Sequence, residues 1–219
     1  MPPPDPQRSA RLARLRGVYA IVGDEDPVGQ AQAAIAGGAG VVQVRMKRSP
    51  ARVVLEASRA IVDLARDRAL VIVNDRADLA LLSGADGVHV GDRDLPPAEA
   101  RRFLGEGLLV GRSCRTLEDA HRALAEGADH VGFGPVFATR TKEIAVPPRG
   151  LEALRAVAGA VPAPVVAIGG ITLETVEAVA AAGAAAAALV EDLLARGDVR
   201  ARAEALAARF AAGAGGRRA

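Results

Sequence analysis

Short apolar runs alternate with stretches of helical spacing along nearly the whole chain. Val18–Val22, Val41–Arg45, Leu70–Val73 and Gly87–Val90 predict four strands, and Leu108–Gly111, His130–Gly134, Val165–Ile168 and Ala185–Val190 four more. Between the runs the apolar period changes to that of a helix. Pro50–Ala65 shows it best, with Val53, Val54, Ala57, Ile61 and Leu64 forming one stripe. Helices are also expected up to Ile35, where Gly37-Gly38 suits a left-handed helix end, and over Ala77–Leu82, Pro97–Leu104 and Leu151–Ala158. Thr116 with Asp119 reads as a capping box opening a helix to Glu126. Thr172 reads as the cap of a helix ending at Gly183, and Val199–Phe210 as the last helix.

A βα unit repeated eight times is the signature of a parallel sheet covered by helices. A glycine-alanine pair between helix and strand recurs at Gly38-Ala39, Gly84-Ala85, Gly127-Ala128 and Gly183-Ala184, at intervals of roughly two such units. A doubly wound open sheet competes, but eight strands in this length and the lack of a GxGxxG turn disfavour it. The expected fold is therefore α/β, a single (β/α)8 TIM barrel over residues 17–212. Residues 1–16, with four prolines in the first six positions, read as a mobile extension with a short helical turn at Arg11–Arg16, and 213–219 as a flexible tail.

Composition narrows the function. Half of the 219 residues are hydrophobic, enough for a sizeable core, yet aromatics make up only 2%. A base-stacking nucleic-acid binder would need aromatic platforms, so that class is disfavoured. Net charge is +2, and the arginines near both ends read as solvated tails rather than a binding face. A single cysteine, Cys114, cannot form an internal disulfide and reads as a packed thiol, which fits a reducing, cytoplasmic setting. The longest uncharged stretches are interrupted by prolines and Gly169-Gly170, so neither a membrane span nor a signal peptide is expected. The expected partners are small molecules, with no nucleic acid and no membrane, and a homo-oligomer is left open.

In a barrel of this kind the chemistry lies at the C-terminal ends of the strands. Strand two ends in Gln43-Val44-Arg45-Met46-Lys47, and alternation turns Gln43, Arg45 and Lys47 to the mouth. Strand three ends in Asn74-Asp75, and Asp92-Arg93-Asp94 follows strand four. Thr139-Arg140-Thr141-Lys142 follows strand six within the long Pro135–Arg149 loop, a lid candidate. Gly169-Gly170 ends strand seven, where exposed N–H groups suit a phosphate. Arginine and lysine bind a diphosphate, and two carboxylates can hold Mg²⁺ beside phosphate oxygens and water. Each residue alone is as readily a surface salt-bridge partner; their convergence on one rim favours a site. His89 reads as a core histidine packed into the barrel or its helix layer, and His121 and His130 as surface residues.

The segments QVRMK, VNDRADLAL, ADGVHVGDRDL, GADHVGFGPVFATRTK and VVAIGGI resemble the thiamine-phosphate synthase family, whose superfamily includes thiazole tautomerases. The resemblance covers about Val18 to Val190. It implies a transferase that joins hydroxymethylpyrimidine diphosphate to thiazole phosphate, releasing diphosphate by a dissociative, Mg²⁺-assisted route. Carried over, Gln43, Arg45, Lys47 and Asn74 would hold the pyrimidine diphosphate, and Asp75 and Asp94 the metal. Ser113 and Lys142 would contact the diphosphate, Thr139 and Thr141 would line the loop, and Gly170 would offer its amide to the thiazole phosphate. Lys142, Ser113 and Arg45 would act directly on the departing charge.

Four positions depart from the family pattern. Met46 replaces an acid, but alternation points it away from the mouth. Asp92 replaces a glutamine, and Arg115 replaces a histidine assigned to acid–base work in the tautomerases. Strand eight ends in Val190-Glu191-Asp192 instead of a small Ser-Ala pair that would receive the thiazole phosphate. Each anion at about 4 Å from a phosphate charge would cost about 4 kcal/mol in an effective dielectric of about 20. Either those side chains point away, or the second substrate differs. The alternatives are thus a tautomerase, which Gly111-Arg112-Ser113 resembles, and a catalytically degenerate barrel that binds a thiamine precursor.

Overall fold

The structure, a computed structural model, describes residues 5–139, 147–194 and 197–215. Its strands are β1 (Gly17–Val22), β2 (Val41–Val44), β3 (Leu70–Asn74), β4 (Gly87–Val90), β5 (Leu109–Cys114), β6 (His130–Phe133), β7 (Val165–Ile168) and β8 (Ala186–Leu189). All pair in parallel with their sequence neighbours, and β8 closes on β1 through Gly17↔Ala186 and Tyr19↔Ala188. The result is the expected eight-stranded TIM barrel. The helices are α1 (Pro6–Arg14), α2 (Pro27–Ala36), α3 (Ala51–Ala65), α4 (Ala77–Ser83), α5 (Pro97–Leu104), α6 (Leu117–Ala125), α7 (Gly150–Ala160), α8 (Val176–Ala181), α9 (Glu191–Leu194) and α10 (Val199–Gly215).

Strand alternation sorts the apolar residues into two cores. Tyr19, Ile21, Val41, Leu70, Ile72, Leu109, Val166, Ala186 and Ala188 fill the barrel interior. Val18, Ala20, Val22, Val42, Val44, Val71 and Val73 face the helices. Met46 belongs to this outer layer, as alternation predicts, so the departure at that position leaves the mouth untouched. The α3 stripe buries Val54, Ser58, Ile61 and Ala65, whereas Val53 is exposed, because the buried face is rotated by one residue from the predicted stripe.

Local signals hold at several helix ends. Thr116 and Asp119 form the reciprocal capping box of α6, and Gly84 ends α4 at φ 74°. Thr172 does not cap α8. Residues 172–175 form a turn in which the Thr175 hydroxyl accepts the Thr172 N–H at 2.9 Å, and the helix begins only at Val176.

The two ends of the chain are more structured than the sequence suggests. Helix α1 closes the base of the barrel. Its Leu12 and the following Leu15 pack on the interior core, while Arg8 meets Glu106 at 2.8 Å and Arg11 meets Asp86 at 2.9 Å. These arginines are anchors, not solvated charges. At the other end α10 runs through Gly215, into the expected tail. Gly213 permits its close approach to α8, since a Cβ there would stand 2.2 Å from the Glu177 carbonyl oxygen. Among the described residues no helix is long and apolar enough to cross a membrane.

Candidate active site

The strands' C-terminal ends surround a cavity of about 620 Å³, its open mouth included. Its walls carry Gln43, Arg45, Lys47, Asn74, Asp75, Asp94 and Ser113, seven of the side chains expected at one rim. Each is there for a backbone reason. The Arg45 N–H extends the β1–β2 ladder to the Val22 carbonyl at 2.8 Å, which keeps Gln43 and Arg45 in one inward register. Strand β5 runs to Cys114, longer than predicted, so Ser113 is a strand residue opposite Gly132. Cys114 is a buried thiol as expected, pushed up to about 12 by desolvation.

Asp75 occupies a strained position. Its φ of 63° lies in the left-handed region, which aspartate tolerates better than most side chains. The turn is tied by its N–H to the His89 carbonyl at 2.8 Å and by the Arg76 N–H to the Asn74 carbonyl at 2.7 Å. The result aims the carboxyl at Asp94 rather than along the strand. Burial and the neighbouring Asp94 raise the Asp75 pKa, and Lys47, whose Nζ stands 3.1 Å from Oδ2, works against them. Asp94 is oriented by the Gly91 N–H, 2.7 Å from its Oδ2. A carboxylate whose charge is disfavoured by burial and by a second carboxylate beside it creates a demand for a cation. Their hard oxygens suit Mg²⁺, which commonly takes one or two carboxylates and completes its shell with water and substrate phosphates. The residues present therefore fit that ion. Arg45, which has no ion-pair partner among the described residues, adds positive charge at the same mouth.

The cavity floor holds groups the sequence reading did not assign to the site. Tyr19 is buried and accepts a hydrogen bond from Gln43 Nε2 at 2.8 Å, which sets the amide's orientation. Desolvation raises the Tyr19 pKa, so the phenol stays neutral. Its period-2 relation to Ile21 was the available signal. Of the two placements expected for His89, the barrel and its helix layer, the structure shows the first, and there His89 also lines the cavity, with Nε2 3.1 Å from Ser113 Oγ. His130 is a correction. It is fully buried below His89, with ring centroids 5.6 Å apart, and not at the surface; His121 is exposed as expected. Gly111 makes room for both rings, since a Cβ there would lie 2.2 Å from His130 Nε2 and 2.5 Å from His89 Nδ1.

The other expected residues are placed differently. Thr139 is half-buried in the loop after β6 and does not line this cavity. Arg140, Thr141 and Lys142 lie outside the described residues. Gly169 and Gly170 have φ 99° and 64°, and a Cβ on Gly170 would meet the Ala138 carbonyl oxygen at 2.3 Å. Glycine is thus required there by the packing of the 135–138 segment, with or without a phosphate.

Three of the departures find ionic partners or a new setting. Asp92 and Arg115 form an ion pair at 2.6 Å, with Arg112 3.5 Å from the same carboxylate. One substitution therefore answers the other. Asp192 is buried, and its carboxylate is held by Arg202 on α10. Neither Glu191, exposed at the start of α9, nor Asp192 lines the cavity. For Asp192 the expected repulsion is thereby removed.

Comparison with known proteins agrees with this geometry. Residues 18–193 match the family model described as thiamine monophosphate synthase. A thiamine-phosphate synthase of Anaeromyxobacter dehalogenans (strain 2CP-C) is 63% identical over 205 residues, covering 94% of this chain and 92% of the relative. One of Myxococcus xanthus (strain DK1622) is 48% identical, with 90% and 94% covered. A solved thiamine phosphate pyrophosphorylase from Pyrococcus furiosus superposes with a TM-score of 0.84 at 33% identity, covering 92% of this chain and 98% of that one.

Proposed function

Since the chain belongs to the thiamine monophosphate synthase family, we propose that it joins hydroxymethylpyrimidine diphosphate to thiazole phosphate, forming thiamine phosphate and releasing diphosphate. The observation that carries this reading is the juxtaposition of Asp75 and Asp94 with Arg45 and Lys47 in one cavity. Carboxylates alone would repel a diphosphate, and cations alone would not need them. Together they suit an anion that arrives with a divalent cation.

In this reading Asp75 and Asp94 hold Mg²⁺, which when bound offsets charge on the diphosphate leaving group. Arg45 and Lys47 supply further positive charge where negative charge develops as the carbon–oxygen bond breaks. Lys47, now 3.1 Å from Asp75 Oδ2, would be free to turn to the diphosphate were Asp75 engaged as a metal ligand. Gln43, locked by Tyr19, and Asn74 orient the pyrimidine, and Ser113, held by His89, contacts the diphosphate. Thr139, Thr141 and Lys142 act from the loop after β6, and Gly170 offers its amide to the thiazole phosphate. The thiazole nitrogen captures the pyrimidine methyl cation, and no protein nucleophile is required. The Tyr19 phenol, kept neutral by desolvation, suits that cation, since it adds no competing anionic nucleophile. Arg115, engaged with Asp92, offers no acid–base group, which disfavours the tautomerase reading.

The test is turnover of the purified protein with both substrates, with and without Mg²⁺, following thiamine phosphate after oxidation to its fluorescent product. Metal-dependent formation of thiamine phosphate is expected. A folded protein that makes none would refute the proposal and direct the next assay to the thiazole carboxylate tautomer.

A further inference from the structure

Asp192 stands at the start of α9, directly beyond β8, and its side chain is only 5% exposed. Arg202 Nη2 donates to both carboxylate oxygens, at 2.7 and 2.8 Å, and Nε donates to Oδ2 at 3.1 Å. Nε also reaches the Asp192 carbonyl oxygen at 3.2 Å. The same Oδ2 accepts the Leu173 N–H at 3.1 Å. One carboxylate therefore ties three parts of the chain: the turn after β7, the first turn of α9, and α10.

The turn it holds begins at Gly169-Gly170. On its other side that turn is fixed by the Phe137 N–H, which donates to the Gly169 carbonyl at 2.9 Å, and by the Val136 N–H on the Ile168 carbonyl. The segment is clamped from the 135–138 side by backbone and from the α10 side by Asp192 alone among these bonds. A two-pronged arginine–carboxylate contact fixes orientation as well as distance. It also keeps the acid from presenting net charge to an incoming phosphate.

We propose that Asp192 and Arg202 form a positioning pair that sets the turn 169–173 against the end of β8 and so determines the affinity for the phosphate of the second substrate. This rests on the synthase reading for the identity of that substrate. Neither residue touches the reacting atoms. Their effect falls on the phosphate-bearing partner and leaves the pyrimidine diphosphate site, on β2 to β5, unchanged.

The test uses the full chain with Asp192→Ala/Arg202→Ala, which removes both charges so that neither is left buried alone, and with Arg202→Lys, which keeps the charge but loses the fork. Folding is checked by circular dichroism and thermal melting. The double variant is expected to raise KM for thiazole phosphate about tenfold, with KM for the pyrimidine diphosphate within about twofold of wild type and Arg202→Lys intermediate. A folded double variant with unchanged KM for thiazole phosphate, or with both KM values rising together, would overturn the proposal. If the double variant does not fold, Arg202→Lys decides by the same criterion. Calorimetric titration with inorganic phosphate separates this from the synthase reading. Should wild type make no thiamine phosphate, weaker phosphate binding by the variant would still support the clamp, and equal or absent binding in both would sink it.

Discussion

His130 makes acid stability a quantitative test of the barrel interior. Its ring is fully buried, and desolvation, assisted by His89, lowers its pKa from 6.5 to about 3. The unfolded chain protonates this histidine near its ordinary value while the native chain does not. Stability from this group is therefore complete above pH 6.5 and declines as pH falls toward 3. Between pH 7 and pH 5 the unfolded state takes up nearly one extra proton, and integrating that uptake gives a loss of about 2 kcal/mol. That is a large share of the roughly 5–15 kcal/mol that stabilises an ordinary domain. Urea unfolding of wild type and His130→Phe at the two pH values isolates the effect, because every other titrating group is common to both. The wild type should lose about 2 kcal/mol more than the variant over this interval. Equal losses, within about 0.5 kcal/mol, would show that His130 is not held neutral by burial, and the account of the interior would be wrong.

Three further outcomes follow from particular contacts. Asp75→Asn keeps a residue suited to φ 63° and removes one of two opposed carboxylates, so melting should shift little while kcat/KM falls about 100-fold and calorimetric Mg²⁺ affinity drops; an unchanged metal-dependent rate would remove Asp75 from the ligand set. Gly111→Ala would press a methyl group into the His130 and His89 rings, and thermal or urea unfolding should register a loss of about 1–3 kcal/mol, or more; a neutral substitution would contradict the packing described. Tyr19→Phe leaves the buried Gln43 amide without its partner, which should cost about 1–3 kcal/mol in unfolding experiments and raise KM for the pyrimidine diphosphate; unchanged values of both would separate Gln43 from that role.

Much of the site was legible because it depends on short-range order. The QVRMK strand shows, by alternation alone, that Gln43, Arg45 and Lys47 share a face and Met46 does not, and the barrel confirms each placement. Asp75 and Asp94 were legible as strand-end acids, since every parallel strand delivers its end to the same rim. What alternation could not give was the strand register. His130 starts a strand and reads as exposed until Gly111 is known to lie opposite it, because the glycine creates the space that the ring fills.

The amino-acid sequence by itself determined the repeated βα order, the parallel barrel and the family of which the chain is a member, because periodicity and motifs are carried by neighbouring residues. The tertiary structure decided where the unusual charges go. Glu106 answers Arg8 from 98 positions away, Arg115 answers Asp92, and Arg202 answers Asp192. In the linear chain Asp192 is an anion beside an expected phosphate; in the folded one it is buried in a bidentate ion pair. The reason is that a charge is defined by its surroundings, and only closure of the barrel and docking of α10 supply them.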